Sequence, residues 1–195
     1  MKKILFAGAL TLAALQMNAE ESKVIRISTD QTDLILKVGE NGRLYQTYLG
    51  EKLLHEADVN RFSWDIHAGS DGSISQRGWE VYSGSGNEDY FEPAVAITHN
   101  DGNTSTYLYY VSSSTSPVEG GTQTTINLRD DKYPVDVTLH YVAYPKENVI
   151  KTWSEIKHQE KKPITLYNYA SSLLHLNADH YWLTEFSGEW AHEAN

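Results

Sequence analysis

The sequence predicts an all-β fold, an antiparallel sandwich, and three observations carry that expectation. Apolar and polar residues alternate with period two in run after run. The runs recur about every ten residues, separated by short turns rich in Gly, Asp, Asn and Pro. Beyond residue 22 helical periodicity is hard to find, so the sequence offers no candidates for the crossover helices of a parallel sheet.

Each element follows in order. Val24–Ser28 (VIRIS) and Asp33–Val38 (DLILKV) read as the first two strands. Glu40–Gly42 reads as a turn and Arg43–Gly50 as the third strand. Leu44, Gln46 and Tyr48 then share one face, and Tyr45, Thr47 and Leu49 the other. Ala94–His99 and Ser105–Ser114 flank the tetrapeptide Asn-Asp-Gly-Asn at 100–103. Asp-Gly between two alternating runs predicts a hairpin. A second hairpin is expected from Thr124–Asp130 and Val135–Tyr144 across the turn at 131–134, with Val135, Val137, Leu139 and Tyr141 on one face. Asn148–His158 and Lys161–Leu176 supply the last strand-like runs. Residues 55–92 differ: rich in Gly, Ser and Asp, they show no clean strand. A long loop of this kind in a compact domain is functional or disordered. Its Trp64, Trp79, Tyr82, Tyr90 and Phe91 are atypical of disorder.

The totals bound the function. At 195 residues and 40% hydrophobic content the chain can build one sizeable core. A net charge of -10, with no basic run, repels phosphate backbones and argues against a nucleic-acid partner. The 13 Tyr and 5 Trp suit strands first. They also suit sugar sites, where a flat ring stacks on C–H groups and a polar tip bonds a hydroxyl. With no Cys, disulfides, thiolate metal sites and Cys nucleophiles are excluded.

The N-terminus reads as an address. Lys2 and Lys3 precede an apolar stretch from Ile4 to Leu15 and a polar end, the layout of a secretory signal peptide. Cleavage after Ala19 fits the small residue required there, and the domain then runs from 20 to 195. The expectation is export to the periplasm or the outside. The apolar stretch is too short for a permanent membrane span, and no other segment is apolar enough.

Catalytic motifs are absent. The sequence has no G-x-S-x-G, and "SGSGNED" (Ser83–Asp89) follows no strand that feeds a helix. No cofactor is therefore expected. The eight His stand at 55, 67, 99, 140, 158, 175, 180 and 192, none at the i, i+2 or i, i+4 spacing of a metal pair. They read as solvated or hydrogen-bonded, and no metal is expected. Glu88, Asp89 and Glu92 cluster, as do Asp130 and Asp131, but any acidic chain offers such groups. "RDDKYP" reads as a hairpin turn.

Four stretches in order carry a resemblance: "LYQTYLGEKL" (Leu44–Leu53), "GNEDYFEPAVAITHNDGN" (Gly86–Asn103), "LRDDKYPVDVTLHYVAYPKENVIKTWSEIKH" (Leu128–His158) and "YWLTEFSGEWAHE" (Tyr181–Glu193). They resemble the N-terminal domain of glycoside hydrolase family 36, the α-galactosidases of the melibiase and raffinose-degrading type. The resemblance implies a β-supersandwich, incomplete at its C-terminal end, in front of a (β/α)₈ barrel. It places the Asp nucleophile and the Asp acid/base of a retaining mechanism in that barrel, so no catalytic residue is carried onto this chain. In some members a loop between the early strands, bearing Asp-Arg-x-Phe-Ser, reaches the active site, often across an oligomer interface. The nearest text here is Asn60–Ser63, "NRFS", where Asn precedes Arg61 and Phe62 follows it directly. In its place Trp64 would stack on a sugar and Asp65 would bind hydroxyls.

The expected function is thus the non-catalytic front of a secreted α-galactosidase, inactive alone. Its expected partners are galactose-containing oligosaccharides, its own catalytic barrel and a possible second copy. The alternative is a stand-alone carbohydrate-binding sandwich. The aromatics of Tyr181, Trp182, Phe186 and Trp190 are expected to need packing partners beyond residue 195.

Overall fold

The computed structural model describes residues 23–61, 79–86, 92–176, 179–182 and 184. It is an antiparallel β architecture of ten strands and one short helix among the described residues. β1 (Val24–Ser28), β2 (Thr32–Val38) and β3 (Leu44–Glu51) form a meander, and β4 (Trp79–Glu80) adds to its outer edge. A second meander orders β6 (Leu108–Val118), β7 (Gly121–Asp130), β8 (Val135–Tyr144) and β9 (Val149–His158) side by side. A two-stranded sheet pairs β5 (Val95–Thr98) with β10 (Thr165–Tyr169).

Alternation does what the sequence dictates where one sheet face is wet. In β8, Val135, Val137, Leu139 and Tyr141 all point inward and are at most 4% exposed, while Asp136, Thr138 and His140 point outward. Ile126 and Leu128 of β7 join them from the neighbouring strand. Facing them are Ile25, Ile27, Leu34, Leu36 and Leu44 of the first meander, with Val95 and Ile97 of β5 in the same cluster. One core therefore joins three sheets, and burial of this apolar surface is the main stabilising term.

Three expectations change. The strands around 100–103 do not form a hairpin. The turn itself closes, with the His99 N–H donating to Asn103 O at 2.8 Å and Gly102 at a φ of 90°. Beyond it the strands part, β5 to β10 and β6 to β7. The reason lies in the neighbours: β7 offers β6 ten paired positions, whereas β5 is claimed by a strand from far along the chain. Residues 55–92 are also not free of regular structure. They hold helix α1 (Glu56–Arg61) and β4. Finally, β3 is not simply two-faced, because Leu44, Tyr45, Gln46 and Thr47 are all buried. Leu44 belongs to the core, Gln46 on the same face is covered by the segment at 175, and Tyr45 on the other face lies against Gly39 and Asn41.

Gly84 marks the tightest crossing. A Cβ built there would lie 2.1 Å from the Thr106 carbonyl oxygen. Only glycine lets the chain after β4 run this close to the entry of β6.

Candidate functional site

The segment that carries Trp64 and Asp65 leaves β3 and returns at β4, two neighbouring antiparallel strands. Trp64 and Asp65 themselves lie outside the described residues, as do Glu88 and Asp89. What the structure shows are the two feet of that segment.

The outgoing foot is held by a buried carboxylate. The side chain of Asp33 on β2 is fully enclosed and accepts three bonds, from Arg26 at 2.7 Å, Ser28 Oγ at 2.5 Å and the Leu53 N–H at 2.8 Å. Burial works to raise this carboxyl, but the donors outweigh it and hold Asp33 below the usual carboxylate range. Arg26 also donates to the Leu53 carbonyl at 2.7 Å and to Glu56 at 3.2 Å. The Arg26–Asp33 pair thus grips both backbone polar groups of Leu53, where the chain turns from β3 toward α1. α1 is a single short stretch. Glu56 and Asp58 in its first turn and Arg61 in its last complement the helix dipole, and buried Val59 pins it down.

The returning foot is β4. Arg43 makes a two-pronged ion pair with Glu80 through Nε, at 3.0 Å to Oε1, and through NH2 to Oε2. Trp79 stacks on His175 with ring centroids 5.6 Å apart. His175 Nε2 donates to the Glu80 carbonyl at 2.8 Å. The Gln46 amide closes the arrangement, donating to His175 O at 2.6 Å and accepting from its N–H at 3.2 Å. The segment after β10 is thereby strapped to β3 and β4.

Beside the outgoing foot opens a cleft of about 430 Å³, lined by Gln31, Thr32, Glu51, Lys52, Leu54 and Asn148. Asn148 sits at a φ of 52° in the β8–β9 turn, and its Oδ1 accepts from Thr29 at 2.5 Å. That bond ties the two meanders at this end. Its lining mixes the amides of Gln31 and Asn148, the Thr32 hydroxyl, one carboxylate, one ammonium and the exposed Leu54.

Of the remaining expected carboxylates, Asp130 takes a structural role, while Glu92 and Asp131 are exposed. Asp130 caps the β7–β8 turn, accepting from the N–H groups of Lys132 and Tyr133 at 2.8 Å each and of Tyr107 at 2.7 Å. Among the described residues no group of three His, Asp or Glu is placed to hold a metal ion. Sequence reasoning passed over the buried pair His99–Glu160 and the Arg26–Asp33 bracket. The buried pair spans 61 positions, and neither pair forms a local motif.

Comparison with known proteins completes the site. The model of the glycosyl hydrolase family 36 N-terminal domain matches residues 42–195. No curated protein matches the chain in sequence. Among solved structures, the fold is similar to an α-galactosidase from Lactobacillus brevis, with a TM-score of 0.75 and 21% identity, over 90% of this chain and 27% of that one. It is also similar to the GH36 α-galactosidase AgaB from Geobacillus stearothermophilus, with a TM-score of 0.64 and 22% identity over 78% of this chain and 24% of that one. A variant of AgaA from the same organism, in complex with raffinose, gives a TM-score of 0.65 and 19% identity over 77% of this chain and 24% of that one. The chain thus spans about a quarter of the length of these structures.

Proposed function

The chain belongs to glycosyl hydrolase family 36 through its N-terminal domain, and from that premise we propose that it is the non-catalytic front of an exported, retaining α-galactosidase. The substrate class is terminal α-linked galactose on oligosaccharides. The observation that carries this reading is the family match along 42–195. The engagement of acidic side chains supports the division of labour. The side chains of Asp33, Glu80, Asp130 and Glu160 are each enclosed and committed to structural bonds, which agrees with catalytic carboxylates supplied from elsewhere. Exposed Leu166, Tyr167, Tyr169 and Trp182 support a role in packing against that barrel or a second copy. The segment gripped at Leu53 and Glu80 is the part assigned to the sugar pocket, through Trp64 and Asp65.

Two proteins test the proposal: the 195-residue chain, and a polypeptide that joins it to a family barrel. The chain alone is expected to leave p-nitrophenyl α-galactopyranoside intact. The longer polypeptide is expected to hydrolyse it and release α-galactose first, followed by NMR. Turnover by the chain alone would overturn the non-catalytic assignment. A joined, folded polypeptide inert on α-galactosides would overturn the substrate assignment.

The stand-alone carbohydrate-binding reading is favoured by one observation, the Trp153 ring stacked on His140 at 4.6 Å on the outer face of the second meander. Calorimetric heat with galactosides, lost in Trp153→Ala, is its signature.

A further inference from the structure

Trp153 stands half-buried on the outer, polar face of the second meander. Strand pairing sets a row there, with Thr125 opposite His140 and His140 opposite Trp153, so all three side chains leave the sheet on one side. The imidazole and the indole are parallel within 9°, with centroids 4.6 Å apart. That spacing is close to the distance between neighbouring strands, so the rings stand side by side and His140 covers one indole face. The other face is turned away from β8, past β9, the last strand of this sheet among the described residues. The row is braced from behind. Gln123 Nε2 lies 3.2 Å and Thr125 Oγ1 3.4 Å from Nδ1 of His140, and the Gln123 amide also donates to Thr125 at 3.1 Å. An indole held in this way has little side-chain freedom left to lose on meeting a ligand.

Polar groups flank the ring. Lys151 and Glu155 stand two residues before and after Trp153, on the same side of β9. Lys151 Nζ is 5.4 Å from the indole centroid. The Glu155 side chain is 46% exposed, and its carboxylate is not committed as those of Asp33 and Asp130 are. His140 Nε2 stands 3.2 Å from it without forming a hydrogen bond, and Lys157 Nζ lies at 3.4 Å. The next row is hydroxyl and amide, with Thr138 donating to Asn127 at 3.1 Å and Asn127 to Ser112 at 3.0 Å. A single ring among such groups is a poor core for a protein contact, which gathers apolar side chains. It suits a neutral pyranose, whose C–H face stacks on an aromatic ring while its hydroxyls exchange hydrogen bonds with the groups alongside.

We propose that Lys151, Trp153 and Glu155 form a non-catalytic saccharide site on β9. The indole is the platform, Glu155 accepts from sugar hydroxyls, and Lys151 donates to a sugar oxygen. His140 is a positioning residue that holds the indole upright. The site lies on a different sheet from β3 and β4, which flank the segment assigned to the sugar pocket. It therefore holds a saccharide without taking part in hydrolysis. The choice of a galactoside as its ligand rests on the proposed function, whereas the site itself needs only this surface.

The test titrates the whole chain with methyl α-galactopyranoside and follows the Trp153 indole N–H and the amides of Lys151 and Glu155 by ¹H–¹⁵N NMR. The expected result is a saturable shift confined to this face, with a dissociation constant in the millimolar range. Trp153→Ala should abolish it, and Glu155→Gln should weaken binding roughly fivefold. His140→Ala leaves the ring in place but frees it, and should weaken binding roughly threefold while the sugar still contacts the indole. No saturable shift, or one that survives Trp153→Ala, overturns the proposal. Saturation by methyl α-glucopyranoside alone keeps the site and overturns the choice of a galactoside. If Trp153→Ala does not fold, nuclear Overhauser contacts between the indole and the sugar ring protons in the wild type decide, and their absence overturns the site. Hydrolysis by the joined polypeptide is read separately, so either reading can fail without the other.

Discussion

Asp33 shows how one residue sets the direction of a whole segment. Its carboxylate organises Arg26, Ser28 and the Leu53 N–H at once. Asp33→Asn keeps the shape but leaves Arg26 without its counter-charge, and is expected to cost about 2 kcal/mol, a figure reduced because Arg26 is 26% exposed. Chemical denaturation would measure it. The pH dependence has a definite sign. A carboxyl held low in the folded state stabilises the fold above its ordinary value, and that contribution disappears as pH falls through the folded one. The wild type should therefore lose more stability on acidification than Asp33→Asn does. None of this was legible in the sequence, because Arg26 and Asp33 become neighbours only when β1 and β2 pair. Arg61 was legible as the nearest match to the family's loop motif, and it lies at the last turn of α1, on the outgoing foot. Trp64 and Asp65 rest on the sequence and the resemblance.

At the scale of elements, alternation carried the reading where one face of a strand is wet. β1, β2 and the β7–β8 hairpin stand where the pattern put them. The pattern failed at 100–103, since a turn signal specifies a reversal but not which strand each arm then joins. It also missed α1, too short for a period to register. Two substitutions probe these elements. Gly84→Ala drives a methyl into the Thr106 carbonyl, 2.1 Å away, and is expected to destabilise by roughly 3 kcal/mol. An unchanged thermal midpoint would show that the crossing can relax. Tyr82→Phe removes one of the two hydroxyl donors to the Ala170 carbonyl. A loss of about 1 kcal/mol is expected, with faster amide exchange at Ala170.

The whole molecule presents an uneven surface. The second meander turns a polar outer face to water, with Arg129 and Asp136 paired at 2.6 Å and Thr138 bonded to Asn127 at 3.1 Å. The strands and segments toward the C-terminal side do the opposite, with Tyr167 at 73% exposure and Trp182 at 97%. The aromatics at 181 and 182 were expected to need partners, and they stand exposed among the described residues. Studied alone, the chain is expected to self-associate, with a sedimentation coefficient that rises with concentration. A monodisperse monomer that unfolds cooperatively and reversibly would contradict this. Substituting Tyr167 and Tyr169 with Ser should suppress the association without loss of the core, since both side chains are largely exposed.

The pairing of β5 with β10 sets a timetable for the nascent chain. β5 ends at Thr98 and its ladder partner begins at Thr165. A ribosome adding about 5–20 residues per second therefore leaves that edge of β5 without its mate for on the order of ten seconds. The meander from β6 to β9 can zip as it emerges, each strand following its partner. Val95 and Ile97 must wait, with one edge open to any passing strand. If the polypeptide is exported, this interval is when a holding chaperone would do most for its yield.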